Sequence, residues 1–311
     1  MFYFNSYYLI FPPYLKSIKK TKWILIGSSS SALINLGLNY LLIFGKLGFP
    51  ELGVRGAALG TIMAMMINLI LFVILSYRYI FVRIENILIY LKCARKNLKE
   101  SIPLIGQELL EGGVFIIAVN ALIARIGTLE LSAYLLVGQI ISVILMPMYM
   151  YSTSLLTLVS ERYSVKEKSD LHSLPKISFY IVMIYFISLS SISFIFRLEL
   201  VHLITDDLQL IEYSMNILLM VIALNLFNPL HSVYKYCLQA IGKSNFVLKE
   251  TAKINFVTLT LMIFLSVIFD FKLQVIFISL FMNYLCLSMI FYKKYAHSIN
   301  HVSIEESTIA I

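Results

Sequence analysis

Windows of about 20 consecutive apolar residues recur along this chain, and charges are confined to the gaps between them. Eight such windows are read, at roughly 24–44, 56–80, 102–125, 132–158, 174–196, 209–239, 247–269 and 273–292. A soluble chain of 311 residues could bury a large core, but it would need far more surface charge than the 14% present here. In lipid every backbone polar group must be satisfied inside its own segment, so the windows must be helices. The expected fold class is an all-α polytopic membrane protein of about eight transmembrane helices.

The net charge of +8 raises the question of nucleic acid, and the placement of the charges answers it. Lys16, Lys19, Lys20 and Lys22 precede the first window; Arg78, Arg83, Lys92, Arg95, Lys96 and Lys99 follow the second. Arg162, Lys166, Lys168 and Lys176 follow the fourth. Lys235, Lys243, Lys249 and Lys253 surround the turn after the sixth, and Lys293 and Lys294 end the last. These alternate loops hold 20 of the 25 basic residues; Lys46, Arg55, Arg125, Arg197 and Lys272 lie on the other side. The positive-inside rule then gives one topology, a multi-pass protein of the cell membrane with both termini cytoplasmic, and no nucleic-acid partner is expected. Lys235 is expected to snorkel to the cytoplasmic headgroups. Cys93, Cys237 and Cys286 form no CxxC and are read as buried thiols without a metal role. The apolar N-terminus lacks a basic lead and carries Pro12-Pro13, so it does not read as a signal peptide.

The windows split two and six. Residues 1–80 form one region and 101–295 a six-helix region. Between them, 81–100 is a basic linker with Ile84, Ile87, Leu88 and Leu91 spaced as on a membrane-surface helix, and 296–311 is a polar, mobile cytoplasmic tail. A repeat at an offset of 223 residues aligns Phe4-Asn5 with Phe227-Asn228, and Leu15, Ile18, Lys20 and Leu25 with Leu238, Ile241, Lys243 and Leu248. Thr21 and Trp23 face Ser244 and Phe246. Internal repeats of this kind are common in transporters. On this alignment residues 1–16 are the cytoplasmic half of a helix.

Residues 33–61 read LINLGLNYLLIFGKLGFPELGVRGAALGT. A helix ending at Phe44-Gly45, a turn at Gly48-Phe49-Pro50, and a second helix opening on Gly56 and Gly60 are expected. The GxxxG pair lets two helices approach closely. The whole string resembles the end of the first lobe of the multidrug and toxic-compound extrusion (MATE) family. Leu131-Ser132-Ala133-Tyr134, Met146-Pro147-Met148-Tyr149, Leu203-Ile204-Thr205-Asp206-Asp207 and Ala240-Ile241-Gly242-Lys243-Ser244 resemble segments of its second lobe, in order. The resemblance covers about residues 2–295. It implies two pseudo-symmetric six-helix lobes around a cavity that opens alternately to either side. On that template 1–80 holds the last helices of the first lobe, and roughly three and a half helices of that lobe are missing.

Charges inside the windows mark candidate sites. Glu108 and Glu111 lie three apart in Pro103-Leu-Ile-Gly-Gln-Glu-Leu-Leu-Glu-Gly-Gly113, hence on one helix face. A carboxylate at the depth of Glu111 is costly unless it meets a polar cavity, a partner or an ion. A structural carboxyl bonded to a neighbouring helix is the alternative. The resemblance places Glu111 where the family carries a cation- or proton-binding acid, with Glu108 nearer the entrance. Asn225, Asn228 and His231 recur every three residues in the sixth window, with Gln239 further along the stripe and Pro229 interrupting the ladder. The resemblance makes Asn228 a secondary ligand, at a position where many sodium-coupled relatives carry an aspartate. His231 is read as a satisfied interhelical histidine ahead of a proton relay. Gln107, Asn120 and Gln139 are further candidates for cavity lining, and Met146, Met148, Tyr149, Met150 and Tyr151 for drug contacts.

No HExxH, GxSxG, P-loop or well-placed GxGxxG occurs, so no enzyme is expected. The resemblance implies a secondary antiporter exporting small organic, often cationic, compounds in exchange for H+ or Na+, with no cofactor. Two other readings stand beside it: a non-transporting remnant or half of a split transporter, and a flippase for lipid-linked precursors. Few basic residues at mid-membrane depth speak against the flippase.

Overall fold

The computed structural model describes residues 11–76, 87–165, 167–268 and 273–309, and every regular element among them is helical. The chain divides into two compact units, Met1–Leu88 and Ile89–Ile311.

In the first unit, a short helix α1 (Phe11–Ser17) is followed by α2 (Thr21–Phe44) and α3 (Val54–Ser76), which pack against each other. Gly45 adopts a left-handed conformation, φ 61°, and its N–H caps Leu41 O, which ends α2. The GxxxG pair does what its spacing suggests. A Cβ on Gly56 would lie 2.3 Å from Leu42 O, and one on Gly60 would lie 2.4 Å from Asn39 Oδ1. The seam is also tied by polar side chains, because Asn39 Nδ2 donates to Asn35 Oδ1 at 3.1 Å and Asn35 Nδ2 to Thr61 Oγ1 at 3.4 Å.

In the second unit, α4 (Ile87–Glu108) runs without a break into a π-helical turn (Leu109–Phe115) and α5 (Ile116–Ile126). Residues 81–86 of the expected linker lie outside the described residues, and from Ile87 the backbone runs as one helix to Glu108. The stretch up to Pro103 offers no Gly or Pro to interrupt it. Then come α6 (Thr128–Ser164), α7 (Lys168–Ile195), the short α8 (Arg197–His202), α9 (Leu208–Leu224), α10 (Asn228–Ala240), α11 (Ser244–Ile268) and α12 (Leu273–Ile309). Asp207 starts α9 by accepting from the N–H groups of Gln209 and Leu210 at 3.0 and 3.3 Å. The expected tail is helical as far as Ile309.

The sixth window is not one helix. α9 and α10 meet at a 40° bend over Asn225–Phe227. Pro229 sits in the first turn of α10, where its missing N–H is harmless, and Asn225 Nδ2 caps Val221 O at 2.9 Å. α10 is packed against α6, α7, α11 and α12, and it buries Asn228, His231 and Ser232 together with Val233, Tyr234, Cys237 and Leu238. A helix this polar can sit at the centre only because its side chains find partners or line a cavity.

The repeat is reproduced bond by bond in the backbone. Lys19, φ 59°, and Gly242, φ 74°, are equivalent at the offset of 223 and both left-handed. Lys20 N donates to Leu15 O at 2.8 Å, and Lys243 N to Leu238 O at 2.9 Å. Trp23 N reaches Lys20 O at 3.1 Å, and Phe246 N reaches Lys243 O at 3.0 Å. Leu15 and Leu238, the matched leucines, are both fully buried.

Among the described residues, six helices are individually long and apolar enough to cross a membrane, and the bent pair α9–α10 makes up to seven. The count of eight is thus approximate. Large apolar side chains such as Leu25, Ile70, Val143, Ile184, Ile195 and Phe256 are exposed, the surface expected of helices facing acyl chains.

Candidate functional site

The second unit encloses a cavity of about 840 Å³. Its walls come from the π turn and α5, from α6, from the α9–α10 bend, and from α11 and α12. Tyr134, Leu145, Leu280 and Tyr284 supply apolar and aromatic surface, and Glu111, Asn228 and Lys235 supply polar groups.

Glu111 owes its position to the π turn, where Gly112 and Gly113 follow it and the ladder is one residue wide of α-helical register. Its Oε1 accepts from Gln107 Nε2 at 3.0 Å, and its Oε2 is 2.5 Å from Lys235 Nζ on α10. Gln239 Nε2 donates to Gln107 Oε1 at 2.9 Å, so a chain Gln239–Gln107–Glu111–Lys235 closes between the start of the unit and α10. Gln107 is buried. Lys235 corrects an expectation: it does not snorkel outward but turns into the cavity, its side chain 12% exposed against 23% for Glu111. A buried carboxylate near a lysine stem favours this inward turn, because each charge relieves the other's desolvation.

About two turns before Lys235 on α10, Asn228 Nδ2 donates to Asn225 Oδ1 at 3.0 Å and to Tyr149 Oη at 3.3 Å, and Asn228 Oδ1 accepts from Ser232 Oγ at 3.4 Å. His231 corrects a second expectation. It lines the cavity, but neither ring nitrogen has a hydrogen-bond partner; its neighbours are aromatic, Phe291 at 5.4 Å and Tyr284 at 5.7 Å between ring centroids. On the opposite wall Asn283 Nδ2 donates to Asn255 Oδ1 at 2.9 Å and to Thr258 Oγ1 at 3.0 Å.

The structure thus brings Glu111, Glu108, Asn120, Gln139, Asn225, Asn228 and His231 to one cavity, with Gln107 behind Glu111. Of the five Met and Tyr residues read as drug contacts, only Tyr149 is among the lining residues; Met148 is fully buried, and Met146 and Met150 are exposed elsewhere. Lys235, Tyr134, Tyr284, Asn255 and Asn283 also line the cavity and are not candidate site residues on sequence alone. The i, i+4 pair Gln107–Glu111 was a local hint of the network, but the pairing of Gln107 with Gln239, 132 residues away, had no sequence signal.

A multi-pass helical bundle with a mostly apolar cavity, a few polar groups and a broken helix beside it is a form that membrane transporters share. The MatE family model matches residues 103–268, and the chain belongs to the MatE family. The chain is similar to the "Probable multidrug resistance protein NorM" of Thermotoga maritima, 28% identical over 66% of this chain and 44% of that protein. A protein of the same name from Photorhabdus laumondii is 24% identical over 70% of this chain and 49% of its own length. The chain therefore spans about half the length of these relatives. Its fold matches a MATE crystallised in complex with MaL6, with a TM-score of 0.81 at 13% identity, over 96% of this chain and 67% of that one. It also matches a Pyrococcus furiosus transporter of the MOP superfamily, with a TM-score of 0.76 at 14% identity, over 91% and 64%.

Proposed function

We propose that this protein acts in secondary efflux, exporting small organic, often cationic, compounds in exchange for H+ or Na+. The observation that carries the reading is a cavity of about 840 Å³ into which one wall sends the carboxylate of Glu111. The volume suits a drug-sized molecule, and the lining is mostly apolar with a few convergent polar groups, as ligand sites are. Glu111 is the coupling carboxylate, and Asn228, which lines the same cavity, is a secondary ligand. Tyr134, Tyr149 and Tyr284 offer ring faces to an organic cation. The protein works in the cell membrane with both termini cytoplasmic, a placement supported by the concentration of basic residues on alternate loops.

The experiment is drug accumulation in cells lacking their own pumps, comparing this chain with Glu111→Gln at equal membrane expression. Lower accumulation that disappears in Glu111→Gln is expected. Accumulation unchanged by the membrane-inserted wild-type chain, or lowered equally by the variant, refutes the reading.

A further inference from the structure

We infer that Lys235 is a tethered counter-cation that fills the cation position at Glu111 and so excludes sodium from it. The inference rests on Glu111 being the ion-binding carboxylate proposed above, and it selects between the two coupling ions.

A sodium site is built from several oxygens free to turn towards one point. The carboxylate oxygens of Glu111 and the amide oxygens of Asn225 and Asn228 already face protein donors, although Asn120 Oδ1 on the cavity wall does not: Glu111 Oε1 takes Gln107 Nε2 at 3.0 Å, and Glu111 Oε2 takes Lys235 Nζ at 2.5 Å. Asn225 Oδ1 takes Asn228 Nδ2 at 3.0 Å, and Asn228 Oδ1 takes Ser232 Oγ at 3.4 Å. The ammonium also acts by charge. An ion bound to Glu111 beside an undisplaced Lys235 would sit about 4 Å from a like charge, which at an effective protein dielectric weakens binding roughly a thousandfold. Lys235 is not a loose surface group that could move aside freely. Its side chain is 12% exposed, and it leaves α10 between the buried Tyr234 and the ring of Tyr236, whose centroid lies 5.8 Å from Nζ. A proton needs no such space, because it can add to a carboxylate oxygen and release the ammonium from it.

The test is equilibrium binding of radiosodium to the 311-residue chain in lipid nanodiscs, a measurement that does not require transport. Wild type should bind no more than Glu111→Gln. Lys235→Ala should gain saturable binding, at least about tenfold tighter than any in wild type, and Lys235→Ala with Glu111→Gln should lose it again. Lys235→Arg keeps the cation and should stay sodium-blind, which separates a charge role from a packing role. Monodisperse gel filtration and an unchanged far-ultraviolet circular dichroism spectrum establish that each variant is folded. Saturable, Glu111-dependent sodium binding by wild type overturns the inference, as does a folded Lys235→Ala that gains none. Failure of efflux in cells, by contrast, would count against the transport reading and leave this binding result standing.

Discussion

Breaking the Glu111–Lys235 pair from one side should be far more damaging than removing it whole. Lys235→Met keeps the stem volume and deletes the ammonium, leaving Glu111 with a charge and one neutral partner, Gln107. Glu111→Gln keeps the shape and strands the ammonium. For a fully buried pair each single change costs about 3–5 kcal/mol. The residual exposure of 12% and 23% lets water screen part of that, so about 2–4 kcal/mol is expected for each. The double variant removes both charges and should lie within about 1 kcal/mol of wild type, giving a coupling energy of at least about 3 kcal/mol. Cys237 is a built-in reporter because it is fully buried on α10, next but one to Lys235. With Cys93 and Cys286 replaced by Ser, the maleimide labelling rate of Cys237 reports the opening equilibrium of this region. The singles should label about 30- to 900-fold faster than wild type, the conversion of 2–4 kcal/mol, and the double variant should return near the wild-type rate. Purely additive effects in the double variant would refute the pairing.

Three more expectations follow from particular contacts. Gly56→Leu forces a side chain against Leu42 O, 2.3 Å from where its Cβ must sit, and should destabilise the α2–α3 pair by about 1–3 kcal/mol. Gly37→Ala on the same pair meets nothing within 4 Å and should be neutral or stabilising, both read from the melting of the purified protein in detergent. Asn283→Leu strands Asn255 Oδ1 and Thr258 Oγ1 on the cavity wall and should lose about 1–3 kcal/mol, whereas a variant melting like wild type would show that the wall is not held by that amide. Asn228→Asp removes the donor that Asn225 Oδ1 and Tyr149 Oη now share, and should weaken binding of an organic cation dye less than it lowers stability, measured by dye fluorescence and by Cys237 labelling on one sample.

Much of the architecture was legible because lipid leaves few options. Apolar windows forced helices, Gly45 and the Gly56/Gly60 pair marked where α2 stops and how closely α3 meets it, and the weak repeat at offset 223 reappears as matched left-handed residues at Lys19 and Gly242. The site was legible in part. An acid in an apolar window drew attention to Glu111, and the stripe Asn225, Asn228, His231 does face the cavity. Lys235 was misjudged because the same rule that sends a lysine near a helix end towards headgroups carries no information about a carboxylate 124 residues earlier in the chain. His231 was misjudged for a related reason. Burial usually implies a hydrogen-bond partner, but here the ring is accommodated by Phe291 and Tyr284. The bend at Asn225–Phe227 had its signal in Asn-x-x-Asn-Pro, a capping side chain followed by a residue that cannot continue the ladder.

The central claim is that Glu111 couples an ion gradient to export through this cavity. It is tested most directly by loading the purified chain into proteoliposomes with a fluorescent organic cation and imposing, in turn, a proton gradient and a sodium gradient. The dye should move against its gradient under the proton gradient alone, and not at all with Glu111→Gln. Dye movement that persists in Glu111→Gln, or that responds to sodium and not to protons, would contradict it.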